Sequence, residues 1–186
     1  MTSRDAILAA AQRCLNADAR ASMTDLATAA GVGRATLHRH FSTRDELLHE
    51  LGTRSLDRWQ QSMRGAGVAE AIASGQAGPI EACLRDLLSR YLADFDDFGF
   101  TLTDPYLRSA PDLMERTEQL SEEETALLAA GQRAGLLRAD LDPRWLSSAV
   151  YGILVAARDA VTFGRIARRD LDEYVLVTFL EGTRAR

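Results

Sequence analysis

Hydrophobic side chains recur every three or four positions along most of the chain, and no segment shows a sustained period of two. This spacing places apolar side chains on one face of an α-helix, whereas strict alternation is typical of a β-strand. We therefore predict an all-α protein. The predicted helices cover residues 5–15, 22–30, 34–40, 43–63, 79–95, 111–119, 121–134, 143–163 and 171–183, with a bend at 94–100 and a short piece at 104–109.

Residues 22–41 predict a helix-turn-helix. Ser22 and Asp25 fit a capping box, in which each side chain bonds the backbone amide of the other residue. Gly31 ends this helix because glycine enters the left-handed conformation without steric penalty, and the next helix begins at Arg34. Two short helices joined by such a turn are typical of DNA-binding domains, although the polar residues of the second helix also fit an ordinary solvated helix. The expected small core consists of Leu26, Ala27, Ala30, Val32 and Leu37.

The fourth predicted helix has two possible N-terminal caps. Ser42 precedes Asp45 by three positions, and Thr43 precedes Glu46 by the same spacing. Either pair would satisfy backbone amides in the first turn of the helix. The sequence leaves both caps open.

Two glycine-rich stretches, at residues 64–67 and 75–78, interrupt the helical pattern and indicate a loose region in the chain. We predict a DNA-binding domain of three helices over residues 1–50. A larger helical domain is expected over residues 51–186. The helix near 43–64 would connect the two.

The string ATAAGVGRATLHRHF at residues 27–41, followed by STRDELL at 42–48, closely resembles the signature of the tetracycline-repressor (TetR) family. Residues 7–11 fit the first helix of that family, and the match covers about residues 4–60. The resemblance implies a sequence-specific transcriptional regulator. It further implies a repressor that a small apolar or aromatic ligand releases from a palindromic operator in double-stranded DNA.

The resemblance also implies roles for individual residues. Arg34, Ala35 and Thr36, at the start of the third helix, should approach base edges in the major groove. His40 and Arg44 match positions that hold DNA phosphates, and the start of the second helix offers further backbone contacts. The full predicted DNA-binding set is Ser22, Thr24, Arg34, Ala35, Thr36, His38, Arg39, His40 and Arg44.

Three features depart from the family pattern. His38 stands where the family usually has tyrosine, which removes a hydroxyl and adds a titratable ring. Gly33 replaces the common serine cap and weakens the start of the third helix. The connection at residues 16–21 is about two residues short. The first two departures bear directly on base and phosphate contacts.

Residues 135–143 also resemble the turn that precedes the dimerising helix pair of the family. The helix at 143–163 is apolar or small on nearly every side, which predicts a helix that is buried all round. We interpret it and the final helix as half of a four-helix homodimer interface, with an ordinary monomer core as the alternative. The predicted interface residues are Ala149, Gly152, Ile153, Ala156, Ala160, Leu171, Val175 and Thr178.

Aromatic, methionine and leucine side chains at helical spacing suggest a ligand pocket in the larger domain. Such residues more often form plain core, so each is a candidate only. The predicted pocket residues are Trp59, Met63, Leu84, Leu88, Tyr91, Phe95, Phe98, Phe100, Met114 and Tyr151.

Charge and composition exclude other classes of function. The net charge is −5, but residues 1–64 carry nine arginines against seven acidic residues, which leaves a small positive end. No serine nucleophile motif, phosphate-binding loop or metal-spaced cluster occurs, so we predict no enzyme, no catalytic residue, no metal and no cofactor. Without a long apolar run, the chain is expected in the cytoplasm with no membrane partner. The alternative function is a helical protein-interaction module that no longer reads DNA.

Overall fold

The computed structural model describes residues 3–94 and 99–185, with the backbone alone at Leu102. Within these residues there are nine α-helices and two short 3₁₀-helices, and the only β-contact is an isolated bridge between Leu137 and Arg184. The helices are α1 (Arg4–Ala17), α2 (Met23–Ala29), α3 (Arg34–His40), α4 (Arg44–Gly65), α5 (Val68–Ser74), α6 (Ala77–Ala93), α7 (Pro111–Arg133), α8 (Pro143–Thr162) and α9 (Leu171–Thr183). The predicted all-α fold is confirmed. None of the described helices is long and apolar enough to cross a membrane.

The chain forms two compact units. The first unit comprises Met1–Asp57 and Asp94–Arg116, and the second comprises Arg58–Ala93 and Thr117–Arg186. The first unit therefore contains the helix-turn-helix together with a later segment of the chain. The boundaries between the units fall inside α4 and α7.

The core of the first unit begins with one face of α1. Ser3 caps this helix by accepting a hydrogen bond from the backbone amide of Ala6 at 3.2 Å. Helix α2 packs against both α1 and α3. Their buried apolar side chains include Ile7, Leu8, Ala11, Leu15, Leu26, Leu37 and Phe41.

The cap of α4 combines parts of both sequence alternatives. The amide of Glu46 donates to the Thr43 hydroxyl at 3.0 Å, so Thr43 takes the capping position. The Glu46 carboxylate accepts in return from the amide and the hydroxyl of Ser42, at 2.7 and 2.8 Å. These bonds lower the pKa of Glu46. Asp45 takes no part in these bonds.

Gly52 brings the middle of α4 close to the later segment of the first unit. A Cβ atom at this position would lie 2.6 Å from Leu107 Cδ2 and 2.8 Å from Leu113 Cδ1. A hydrogen bond between His49 Nε2 and Asp112 Oδ2, 2.7 Å apart, joins the same two parts of the unit. It lowers the pKa of Asp112.

Two expectations about helix boundaries are wrong. Residues 111–133 form one continuous helix, because the sequence around Gln119 and Ser121 contains neither glycine nor proline to break it. A short helix, α5, lies between the glycine-rich stretches. Gly67 and Gly75 flank it with φ angles of +72° and +61°, which explains why both ends carry glycine. The predicted bend at 94–100 includes residues 95–98, which lie outside the described residues.

In the second unit, α9 packs against α8 and α6, and α6 also packs against α5. Asp142 caps α8 by accepting from the amide of Arg144 at 2.8 Å, and Pro143 occupies the first turn, where its missing amide costs nothing. The observed bounds of α9 are those predicted from the sequence.

Candidate functional site

The helix-turn-helix is fixed by backbone and capping hydrogen bonds. The Ser22 amide donates to Asp25 Oδ2 at 2.8 Å and the Asp25 amide donates to Ser22 Oγ at 3.3 Å, which confirms the predicted capping box. The turn that follows places Gly31 at φ +65°. The amide of Val32 then reaches back to the Ala27 carbonyl at 3.0 Å, the bond that typically closes a helix with a left-handed glycine.

Helix α3 is anchored on one side and open on the other. Leu37 is fully buried, as are Leu26 and Ala27 beneath it, whereas Ala30 and Val32 of the predicted small core are partly exposed. The polar side of α3 faces solvent. Arg34, Ala35, His38 and Arg39 are exposed, and Thr36 and His40 are partly exposed.

The surface around α3 is basic. Residues 20–44 contain four arginines and two histidines but one acidic residue, Asp25. The carboxylate of Asp25 is bonded to Ser22, and these bonds lower its pKa. Arg34 and Arg39 form no ion pair with any described residue. Their guanidinium groups are therefore available to a polyanion.

Arg44 is placed differently from the other predicted DNA-binding residues. It is partly buried, and its guanidinium donates to the carbonyl of Ala21 and, at 2.9 Å, to the carbonyl of Ala19. These bonds tie the start of α4 to the connection between α1 and α2. Ser22 and Thr24 follow that connection and are both exposed.

A histidine also bridges the end of α3 and the start of α4. His38 Nδ1 lies 3.4 Å from the carbonyl oxygen of Ser42. The ring that replaces the usual tyrosine of the family is thus close to the turn that orients α4. One nitrogen of the ring faces this carbonyl, and His38 is otherwise exposed to solvent.

A second polar site lies in the second unit and centres on Glu124, which is 5% exposed. Trp59 Nε1 donates to the Tyr91 hydroxyl at 2.7 Å, and that hydroxyl donates to Glu124 Oε1 at 2.9 Å. Ser147 Oγ donates to Glu124 Oε2 at 2.6 Å. We call these four residues the Glu124 cluster. They come from α4, α6, α7 and α8.

Burial dominates the electrostatics of the Glu124 cluster. Desolvation raises the pKa of Glu124, against the lowering effect of the bonds from Ser147 and Tyr91. Desolvation and the neighbouring carboxylate raise the pKa of Tyr91 well above its ordinary value. Sequence reasoning found Trp59 and Tyr91 as aromatic candidates but missed Glu124 and Ser147. Glu124 sits on the buried, apolar side of α7, and that was the signal that could have revealed it.

Comparison with known proteins agrees with the helix-turn-helix geometry. The family model described as bacterial regulatory proteins, tetR family, matches residues 7–51. The HTH-type transcriptional repressor LfrR of Mycolicibacterium smegmatis is 28% identical over 184 residues, which cover 97% of this chain and 89% of LfrR. Residues 7–51 of this chain therefore match the family model of the TetR regulators, and the rest of the chain is similar to LfrR. The proteins that it resembles are DNA-binding transcription regulators and not enzymes.

Two further comparisons extend the similarity over most of the chain. The HTH-type transcriptional regulator NfxB of Pseudomonas aeruginosa is 27% identical over 169 residues, covering 88% of this chain and 84% of NfxB. The crystal structure of LfrR from Mycobacterium smegmatis in complex with proflavine superposes with a TM-score of 0.75 at 26% identity. That match covers 98% of this chain and 97% of the LfrR chain.

The predicted pocket residues of this chain are divided between the two units. Trp59 and Tyr91 belong to the Glu124 cluster, and three more are buried in the second unit: Met63, Leu84 and Leu88. Phe100 and Met114 belong to the first unit, where Phe100 is buried and Met114 is 52% exposed. Tyr151 is exposed on α8. Phe95 and Phe98 lie outside the described residues.

The predicted dimer residues divide between a surface and a core. Gly152, Ala156 and Thr178 are exposed, and Ala149, Ile153 and Ala160 are partly exposed. Leu171 and Val175 are buried inside the chain, because α9 turns that side towards α6 and α8. One side of α8 is exposed in the single chain, so the burial of this helix on all sides, which the sequence analysis assigned to a dimer, stays a prediction. Its open side carries large apolar residues that continue onto α9: Trp145, Tyr151, Phe163, Tyr174 and Val177.

Proposed function

We propose that this protein is a repressor that binds a palindromic operator as a homodimer and leaves it when a small apolar or aromatic ligand binds. The observation that carries the proposal is the exposed, basic face of α3. The fully buried Leu37 fixes this helix in the fold. Arg34 and Arg39 on its exposed side have no ion-pair partner in the described part of the chain. A rigid helix that offers unpaired guanidinium groups suits the edges and phosphates of a DNA duplex.

The first turn of α3 is the proposed reading element. Arg34 can form two hydrogen bonds to a guanine, and the methyl group of Thr36 can contact a thymine methyl group. Ala35 is small enough to let the helix approach the bases. Arg39 and His40 follow on the same exposed helix, where they suit phosphate contacts.

We assign Arg44 an indirect role within the same proposal. Its guanidinium is bonded to the carbonyls of Ala19 and Ala21, so it holds the connection that precedes α2. Ser22 and Thr24 stand directly after this connection and are exposed towards solvent. Arg44 would therefore orient the hydroxyl groups of Ser22 and Thr24 for contacts with the DNA backbone. Because part of its guanidinium is bonded to the two carbonyls, Arg44 could not give all of its donors to a phosphate.

The proposed dimer forms through the open side of α8 and α9. Trp145 is 63% exposed and Phe163 is 66% exposed, and an aromatic surface of this kind is typical of an interaction site. Gly152 and Ala156 lie between them and allow another helix to approach closely. A single recognition helix of seven residues makes too few base contacts for specificity, whereas two helices in a symmetric dimer can read successive turns of a palindrome.

The second unit supports the proposal that a ligand releases the protein from DNA. LfrR has been crystallised with proflavine, a planar aromatic compound, and the second unit of this chain contains aromatic residues that are only partly buried. A ligand weakens operator binding only if it prefers the conformation that cannot bind DNA. The proposal therefore requires that ligand and operator affect each other's affinity.

The proposed function can be tested with DNA from upstream of the protein's own coding sequence. We expect specific binding whose affinity falls steeply with salt, since arginine–phosphate contacts release counterions. Arg34→Ala should weaken specific binding by about 10- to 100-fold and relax base preference. Arg108→Ala, at an exposed arginine of the same unit outside the helix-turn-helix, is the matched control and should change little.

Two outcomes would contradict the proposal. The DNA-reading part is wrong if Arg34→Ala and Arg108→Ala bind the fragment equally well. The dimer part is wrong if sedimentation equilibrium shows a monomer at the concentrations that saturate the fragment.

A further inference from the structure

The connection between α1 and α2 is held in one conformation by hydrogen bonds on both sides of Arg20. The Arg44 guanidinium donates to the carbonyls of Ala19 and Ala21, the two residues that flank Arg20. The Arg20 amide donates to Asp18 Oδ1 at 2.9 Å, and the Ala21 amide donates to the Asp18 carbonyl at 3.0 Å. Ala21 is also buried. The backbone around Arg20 is therefore fixed, and Arg44 is the long-range part of that support.

The side chain of Arg20 is exposed and forms no ion pair with the residues that the structure describes. Elsewhere in the chain an arginine and an aspartate two positions apart do pair, since Arg138 Nε lies 2.7 Å from Asp140 Oδ1. Asp18 stands at the same spacing from Arg20, but its Oδ1 accepts from the Arg20 amide instead. The Arg20 guanidinium is therefore as accessible to a polyanion as the guanidinium groups on the exposed side of α3.

The geometry of a helix-turn-helix places Arg20 beside a bound DNA backbone. When the second helix of such a motif lies in the major groove, its first helix crosses the phosphate backbone. Helix α2 is the first helix of this motif and packs against α3. Arg20 stands two positions before Ser22, the N-terminal cap of α2. A cation at this point faces phosphates and is remote from the base edges that α3 would meet.

We propose that Arg20 is a further phosphate-contacting residue of the DNA-binding surface and that Arg44 positions it. This inference rests on the proposed function, because it adds a residue to the same DNA-binding surface. A guanidinium can bond a phosphate through two parallel hydrogen bonds. Because the backbone on both sides of Arg20 is already fixed, binding has to order the side chain alone, which lowers the entropy lost on association. The contact adds affinity without sequence preference.

The test measures binding to two DNA duplexes at several salt concentrations by fluorescence anisotropy. One duplex is the fragment from upstream of the coding sequence, and the other is an unrelated duplex of the same length. Arg20→Gln removes the charge of Arg20 and keeps a long polar side chain. Arg108→Gln is the matched control, because it removes the charge of an exposed arginine of the same unit outside the helix-turn-helix.

We expect Arg20→Gln to reduce the slope of log affinity against log salt by about one for each Arg20 in contact, and so by about two for a dimer. Near 0.1 M salt the variant should bind both duplexes about 10- to 100-fold more weakly than the wild type. The ratio of the two affinities should stay within about threefold of the wild-type ratio, since a phosphate contact does not distinguish sequences. Arg108→Gln should keep the wild-type slope.

A second variant tests the positioning role of Arg44. Arg44→Gln should weaken binding of both duplexes in the wild-type background, and it should weaken binding by a smaller factor when Arg20→Gln is already present. Independent effects of the two substitutions would show that Arg44 does not act through Arg20. Circular dichroism checks the fold of each variant. If Arg44→Gln does not fold, the salt slope of Arg20→Gln still decides whether Arg20 contacts phosphate.

The outcomes separate this inference from the proposed function. A wild type that prefers the upstream fragment, with an unchanged salt slope in Arg20→Gln, would overturn the inference alone. Loss of affinity for the fragment without loss for the unrelated duplex would also overturn it, because Arg20 would then read bases. Equal wild-type affinity for both duplexes, with a slope that falls in Arg20→Gln, would retain the phosphate contact and reject the proposed function. Binding of neither duplex would reject both.

Discussion

Helix α3 and the Glu124 cluster both present polar side chains, but they do so in opposite environments. On α3 the arginines face solvent and have no ion-pair partner in the described residues. The opposite side of the helix packs into the core through the buried Leu37. In the Glu124 cluster the polar groups are bonded to each other and the carboxylate is 5% exposed. One site keeps its donors available, and the other holds its acceptor inside the fold.

The two sites therefore differ in how strongly a substitution is expected to change the free energy of unfolding. Exposed substitutions on α3 are expected to alter DNA binding and leave the free energy of unfolding within about 0.5 kcal/mol. In the Glu124 cluster a substitution is expected to change the free energy of unfolding, because its hydrogen bonds join four helices. Single variants at each site can therefore test this difference directly.

The largest expected effect comes from Leu37, which lies on the buried side of α3. Leu37→Ala removes a fully buried side chain and should lower the free energy of unfolding by about 2–5 kcal/mol. Arg39→Ala, two positions away on the exposed side, should stay within about 0.5 kcal/mol. Urea unfolding followed by circular dichroism measures both. Similar losses for the two variants would mean that α3 is not divided into a buried and an exposed side.

A smaller effect, with a defined pH dependence, is expected from Glu124→Gln. Burial raises the pKa of Glu124 in the folded protein, so between its ordinary value of 4.5 and the raised value the folded state holds a proton that the unfolded state has released. Stability contributed by the protonated group is therefore complete below its ordinary pKa and is lost as the pH rises through this window. The glutamine cannot titrate, and it should stabilise the protein by about 1–2 kcal/mol at neutral pH.

The measurement is the urea midpoint of wild type and Glu124→Gln across the acidic to neutral range. We expect the two midpoints to converge at low pH and to separate as the pH rises, with the variant more stable. Glu123→Gln, at the exposed neighbour, should follow the wild type throughout. A variant that is less stable than the wild type at neutral pH would show that the carboxylate is a net structural contact.

The helix-turn-helix with the exposed side of α3 could be predicted from the sequence, because the interactions that form it are local. A capping box at Ser22, a left-handed glycine at Gly31 and helix periodicity around Leu37 each act within one or two turns of chain. All three occur in the structure as expected. Arg44 shows where local reasoning ends. Its partners, the carbonyls of Ala19 and Ala21, lie more than twenty positions away in the sequence.

The position of Glu124 on the apolar side of α7 was predictable, but the Glu124 cluster as a whole was not, because its members are distant in sequence and ordinary one by one. Trp59 and Tyr91 were recognised only as aromatic candidates, and Glu124 stands in a run of three glutamates that suggests a solvated helix face. Only tertiary packing turns one of the three inward. The burial of Leu171 and Val175 has the same origin, since helix periodicity gives an apolar face but does not give its partner.

The smallest expected effects concern two glycines on either side of Val32. Gly33 caps α3 with φ −70° and no side-chain bond, and a Cβ atom there would have no neighbour within 4 Å. Gly33→Ser should stabilise the protein by about 0.5–1 kcal/mol, because serine restricts the unfolded chain and its hydroxyl can accept from the Thr36 amide. Gly31 has equally open space but a φ of +65°. Gly31→Ser should therefore destabilise the protein by about 1 kcal/mol. Because space is not limiting at either position, shifts of the same sign in thermal unfolding would disprove the assigned backbone conformation of the turn that presents α3.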